Sequence, residues 1–351
     1  MKLRTLFFCG DRSPYGLSHI GPVLDAFNVD AIVVATEARW NLFKDALAGK
    51  KYQTTDREAK PVGVTRRIAN SLFRIVPIQG NDKDGRGTGI AESLRGRDIP
   101  VWSVFDVNDA AFLEKVRRAN PELILSAAYP QIFSNDLISI PSRGSINFHP
   151  SLLPKYRGAH PHFWAIVRGE NESGLTAHFM TESIDAGDIL AQIAFPISQY
   201  NYRQLYEKMI AETPGFVKTV ARYLQETRPA VQQDPMKATT FRNDRDIHRR
   251  VFWNIHTAEE IRNLSRTLSA FCFFRGRKIM IHETFVTNGN RNLTNDVRVE
   301  PGTIVDVNGD CLAVKTIDAC INIRKLDDGK KIVSFEKWAK KHGIHIGEKF
   351  E

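Results

Sequence analysis

Residues 145–164, SINFHPSLLPKYRGAHPHFW, crowd one Asn, three His, three Pro and an Arg-Gly pair behind an apolar run. If INFH ends a buried strand, Asn147 and His149 share a face, because strand side chains alternate with period two. Further on, HFMTESIDAGDILAQIAFPI (178–197) has the pattern strand, loop, strand, with Asp185 and Asp188 in the loop. Several chemistries compete for these groups. A metal site would draw on His149, His160, His162 and His178, but the sequence has no HExxH and no Cys near them, so none is expected. A serine hydrolase needs a GxSxG elbow, which is missing. The first turn, GDRSPYG, lacks the GxGxxG of a nicotinamide-dinucleotide site. GNDKDGRG (80–87) lacks the Lys-Ser/Thr of a phosphate loop. Each His taken singly could also be a core residue held by one hydrogen bond.

The elements that must position these groups follow from hydrophobic pattern. LRTLFFCG (3–10), DAIVVATE (30–37), IPVWSV (99–104), PELILSAAY (121–129) and GSINFHP (144–150) are apolar runs separated by helical stretches at 16–27 and 108–120. Such alternation predicts a parallel sheet covered on both faces, a doubly wound Rossmann-like α/β domain. It spans 1–227 and closes with a helix over 202–227. Both Asn147 and His149 should emerge at the carboxyl edge, where open α/β sheets bind ligands. Residues 38–98 interrupt the rhythm, with eight Lys/Arg against three Asp/Glu between 41 and 75 and one amphipathic helix expected at 63–75. That insertion is expected as a solvated surface, with phosphate or RNA binding as the alternative.

Residues 228–249 are polar, carry two prolines, and are expected to link the domains. Thr257-x-x-Glu260 forms a capping-box signature ahead of a helix at 257–268. Several strands follow, with a hairpin signal at Asn308-Gly309. A small OB-like β-barrel domain is expected over 250–345, with 346–351 as a tail.

The two chemical stretches together resemble the folate-dependent formyltransferase family. INFHPSLLPKYRG supplies its Asn-x-His and SLLP loop, and Asp185, thirty-eight positions after Asn147, stands before a Gly in GLTAHFMTESIDAGDIL. The family includes methionyl-tRNA, glycinamide ribonucleotide and amino-sugar formyltransferases. The likeness extends back through PELILSAAYPQIF and forward to PGTIVDVNGDCLAVKT. It implies 10-formyltetrahydrofolate as formyl donor and no metal. It implies that His149 handles the amine proton, Asn147 donates to the oxyanion, and Asp185 orients His149. The folate would lie along Tyr129, Pro130, Gln131, Ile132 and Ile184. The acceptor would meet Arg12, Ser13, Tyr156 and Arg157, with His160 and His162 lining that side.

The acceptor amine is expected on a nucleotide-linked amino-sugar, since HPSLLPKYRG, PHFWAI and the first turn are closer to the sugar enzymes. Initiator methionyl-tRNA is the alternative, favoured by the net charge of +9. From another class, a non-catalytic RNA-binding relative and a formyl-folate hydrolase stay open. Hydrophobic and charged contents of 42% and 25% are those of a globular protein. The four cysteines have no CxxC spacing, which predicts cytosolic thiols and a cytoplasmic location. The N-terminus is not expected to be a signal peptide, and no apolar run is long enough to span a membrane.

Overall fold

The structure, a computed structural model, describes residues 2–10, 13–35, 89–286, 299–327 and 331–351. The helix expected at 63–75, nearly all of the basic insertion, and Arg12 lie outside the described residues. The chain folds as two compact units. The first holds 1–158, 174–194 and 208–240; the second holds 159–173, 195–207 and 241–351.

In the first unit the apolar runs become strands β1 (Arg4–Cys9), β2 (Asn28–Ala35), β3 (Val101–Val104), β4 (Leu123–Ala127) and β5 (Ser145–His149). After the two-residue β6 (Arg157–Gly158) come β7 (Glu172–Phe179) and β8 (Ile189–Pro196). The order across the sheet is β3-β2-β1-β4-β5-β7-β8. Strands β1 to β5 pair in parallel. Strand β7 departs from the expected parallel pattern by running antiparallel to β5. The link from β7 to β8 holds no helix and is too short for a parallel crossover, so β8 returns beside β7 and extends this antiparallel edge. Leu6, Phe8, Ala31, Val33 and Ile124 anchor a core on one face, completed by Phe112 and Val116. Those last two come from a helix at Ala110–Ala119, whose N-cap Asp109 accepts from the backbone N–H groups of Ala111 and Phe112.

The helix expected at 16–27 is broken into α1 (Pro14–Ser18) and α2 (Ile20–Ala26). Pro22 has no N–H to give the Ser18 carbonyl, and the break falls at that turn. His19 sits at the break, fully buried, with Nδ1 donating to the Tyr15 carbonyl at 2.7 Å and its ring against Phe148 at 4.8 Å. Burial drives its pKa from 6.5 down to about 4, against the opposing pull of the Tyr15 carbonyl. The unfolded chain therefore takes up a proton below about pH 6.5 that the folded chain refuses until about pH 4. Stability from this residue is fully present above that window and is lost as pH falls through it, by roughly 3 kcal/mol. Urea midpoints measured from pH 7 to 4 should fall more steeply for the native chain than for His19→Gln. Parallel slopes would contradict the assignment.

The second unit carries an antiparallel half-barrel. Its strands are β10 (Phe271–Phe274), β11 (Arg277–Val286), β12 (Ile304–Asn308), β13 (Cys311–Lys315) and β14 (Cys320–Asp327). They follow a two-residue β9 (Thr240–Phe241) and run in the order β10-β11-β14-β13-β12, with β15 (Ile332–Ser334) on β14. The expected capping box forms, with Thr257 and Glu260 bonding reciprocally at the start of the helix Ala258–Arg266. The β12–β13 turn is Gly309-Asp310, one residue later than an Asn-Gly centre, because Asn308 still pairs with Cys311. Residues 346–351, expected as a tail, are instead tied in. Phe350 is buried against Trp338 and Phe274, and Glu351 exchanges backbone hydrogen bonds with Phe273.

Candidate active site

The antiparallel pairing of β5 with β7 sets His178 opposite Asn147 and Thr176 opposite His149. His149 is 4% exposed, and its Nε2 donates to the Tyr156 carbonyl at 2.9 Å. Its Nδ1 lies 3.5 Å from Asp185 Oδ2, which also accepts the Gly158 N–H at 2.8 Å. Asp185 Oδ1 lies 3.4 Å from both Asn147 Nδ2 and His178 Nε2, and those two nitrogens are 3.3 Å apart. His178 gives Nδ1–H to the Phe179 carbonyl at 2.9 Å, which turns its Nε2 toward Asn147 Nδ2 and Asp185 Oδ1. One amide N–H of Asn147 is thus directed between His178 and Asp185. Trigonal geometry then turns the second N–H away from both.

The electrostatics follow from burial and pairing. Burial pushes the His149 pKa down, opposed by Asp185 and the Tyr156 carbonyl and reinforced by His178, and the net direction is downward. The imidazole is therefore neutral at pH 7 and able to act as a base. Burial alone would raise the Asp185 pKa. The facing imidazoles of His149 and His178 and the Gly158 N–H outweigh it and hold the carboxyl well below the usual range. A proton gained at His149 Nδ1 would meet the Asp185 carboxylate, while Nε2–H stays on Tyr156.

Two loops bring these groups together. The 150–158 loop is pinned by Thr176, whose hydroxyl donates to the Ser151 carbonyl at 2.6 Å and accepts the Leu153 N–H and the Gln192 amide. Tyr156 is held at φ +62° and Asp185 at φ +51°, a left-handed conformation uncommon for residues with a Cβ. Gly187 closes the second loop against β7. A Cβ there would stand 2.0 Å from the Phe179 carbonyl oxygen, which explains physically why a Gly stands two residues after Asp185.

The remaining expected residues fall in different places. Gln131 clamps the loop after β3, accepting from the Val107 N–H at 3.2 Å and donating to the Phe105 carbonyl at 3.0 Å. Ile132 and Ile184 are exposed at 68% and 52%, and Tyr129 packs edge-on to Phe8 and Phe133, with Pro130 half-buried beside it. Ser13 caps α1 by accepting from Gly16 N–H. Tyr156 and Arg157 are engaged with the protein itself. The Tyr156 side chain is buried, and Arg157 gives Nε and Nη2 to Gln233 Oε1 at 3.1 and 2.7 Å. His160 and His162 take other partners, Asp244 and the Tyr202 hydroxyl, within the second unit. Sequence reasoning weighs His178 only as a metal ligand, not as a neighbour of Asn147 and Asp185, and misses Gln233 altogether. Period-two alternation places His178 on the face of Thr176, which is a usable signal; Gln233 has none.

Comparison with known proteins bears on what this arrangement serves. Residues 57–219 match the family described as formyl transferase, and residues 246–343 match the formyl transferase C-terminal domain. The methionyl-tRNA formyltransferase of Clostridium tetani is 30% identical over 296 residues, covering 82% of this chain and 88% of that protein. The chain belongs to the formyltransferase family. Its members are folate-dependent N-formyltransferases, and this formyltransferase is an enzyme of that kind. Two solved structures share its fold. An N-formyltransferase from Helicobacter canadensis, in complex with folinic acid and dTDP-3-aminofucose, has a TM-score of 0.57 at 17% identity, covering 92% of this chain and 98% of that one. A sugar N-formyltransferase from a Shewanella species has a TM-score of 0.52 at 19% identity, covering 80% and 97%. Among the described residues of the formyltransferase, no helix is long and apolar enough to cross a membrane.

Proposed function

We propose that Asn147, His149 and Asp185 carry formyl transfer from 10-formyltetrahydrofolate to a primary amine, and that the amine belongs to a nucleotide-linked amino-sugar. The observation that carries the catalytic assignment is the single Asp185 carboxylate facing His149, His178, Asn147 and Gly158 at once. Amine attack on the formyl carbon places negative charge on the formyl oxygen and leaves a proton to be removed. The neutral, buried His149 takes that proton, and Asp185 stabilises the resulting imidazolium. The outward N–H of Asn147 donates to the oxygen as its charge develops. The proton then passes to N10 of the departing folate. Exposed Ile132 and Ile184 on pinned loops offer apolar edges and backbone groups suited to a flat pterin. The buried Tyr156 and the Gln233-bound Arg157 shape the site instead of gripping the acceptor.

The sugar assignment rests on the HPSLLPKYRG and PHFWAI stretches and is in keeping with the shared fold of the Helicobacter canadensis protein. A second acceptor, initiator methionyl-tRNA, is favoured by the Clostridium tetani relative and by the net charge of +9. Incubation with 10-formyltetrahydrofolate and either nucleotide-linked amino-sugars or charged initiator tRNA, read by mass spectrometry, separates the two. Formylated sugar is expected. Formylation of tRNA alone would replace the acceptor, and formate release without an amine product would replace the reaction.

A further inference from the structure

The polar segment after the long helix does more than join two domains. Gln233 is 6% exposed, and both ends of its carboxamide are used. Its Nε2 donates to the carbonyls of Asp185 at 2.8 Å and Gly187 at 2.7 Å. Its Oε1 accepts Nε and Nη2 of Arg157, at the end of the other catalytic loop. The same segment bonds on either side of Gln233. Val231 exchanges two 2.8 Å backbone hydrogen bonds with Ile189, just past the Asp185 loop. Thr239 receives the Tyr156 N–H on its hydroxyl at 2.9 Å and the Arg157 N–H on its carbonyl at 2.8 Å, and gives its own N–H to Pro154.

We infer that residues 229–240 form a strap across the two catalytic loops and that Gln233 is a positioning residue acting through Asp185. This rests on the catalytic role proposed for Asp185. The physical link is the backbone of Asp185, whose left-handed φ of +51° needs support from its surroundings. Two hydrogen bonds from one buried amide, to residues 185 and 187, hold that conformation and aim the carboxylate at His149 and the Gly158 N–H. Without the amide N–H groups the half-buried Asp185 carbonyl and the buried Gly187 carbonyl lose their donor, and the loop relaxes toward ordinary backbone angles. Arg157 would lose its acceptor at the same time, so both loops loosen together.

The test is a double-mutant cycle on the full chain, following formyl transfer to whichever amine the native protein accepts. Gln233→Leu should lower kcat about tenfold or more while both KM values stay within about twofold, because it misaligns a group used in the chemical step. In an Asp185→Asn background the same substitution should cost less than about threefold, since the carboxylate it positions is already gone. Gln233→Glu keeps the acceptor for Arg157 but not the donor, and should reproduce the loss in kcat with an unfolding midpoint near that of the native chain. It carries the test if the Leu variant does not fold. Equal losses in both backgrounds, or native kcat in either variant, would overturn the inference. A native chain that transfers no formyl group to any amine, or an Asp185→Asn variant of native rate, would instead overturn the catalytic assignment.

Discussion

His149→Ala should lower kcat/KM for formyl transfer by about 10²–10⁴-fold, the range for loss of a positioned general base. The imidazole is the one base touching Asp185 on the strand that also carries Asn147, and it is neutral at pH 7 because burial lowers its pKa. Circular dichroism and the thermal midpoint should show a folded protein, since β5 keeps its ladder on both sides. The native pH profile supplies an independent check. Activity requires the neutral ring, so the rate falls as pH drops through the His149 pKa. Burial, acting against Asp185 and the Tyr156 carbonyl, puts that acid limb below the ordinary value of 6.5. A limb above 6.5, or a native rate in His149→Ala, would remove His149 from the mechanism.

Asn147→Asp is expected to cost about 10²–10³-fold in kcat with KM for the folate donor nearly unchanged. One oxyanion donor contributes on that scale because it acts on charge that appears only as the reaction proceeds. The replacement is isosteric, so packing is preserved while the donor becomes an acceptor. It also sets a second carboxylate beside Asp185 Oδ1, which lies 3.4 Å from the amide nitrogen of the native chain. Like charges at that distance raise one of the two pKa values, so the variant should recover part of its stability as pH is lowered toward 5. A loss confined to KM would mean that Asn147 binds substrate equally in both states and does not favour the transition state.

Much of this is legible in sequence because it is local. The apolar runs of β1, β2, β4 and β5 declare themselves without any neighbour, and so does the Thr257–Glu260 box. Asn147 and His149 can be paired from alternation alone. What cannot be read depends on partners distant along the chain. His178 in GLTAHF looks like a core residue until β7 is known to run antiparallel to β5. Gln233 lies 48 residues from Asp185 and 76 from Arg157. Its surroundings, VQQDP, have the polarity and proline of an ordinary connector. The partners of Tyr156 and Arg157 are hidden for the same reason: Tyr and Arg in a Pro-rich loop look solvent-facing, while Thr239 and Gln233, which bond the Tyr156 N–H and the Arg157 guanidinium, come from the strap. Proximity in sequence groups His160 and His162 with the site, but cannot show the partners they take within the second unit, Asp244 and Tyr202.

The strap has a bearing on the order in which the chain gains its activity. The ladder of β1, β2, β4 and β5 is made wholly of residues before 150, so this part of the sheet can form without the strap. The bond from Tyr156 to Thr239 closes 83 residues, and loop-closure entropy must be overcome before such contacts reward the chain. During refolding, the circular dichroism of the sheet should therefore return before turnover does. A protein stalled between the two would hold every catalytic residue on nearly native strands and still not react.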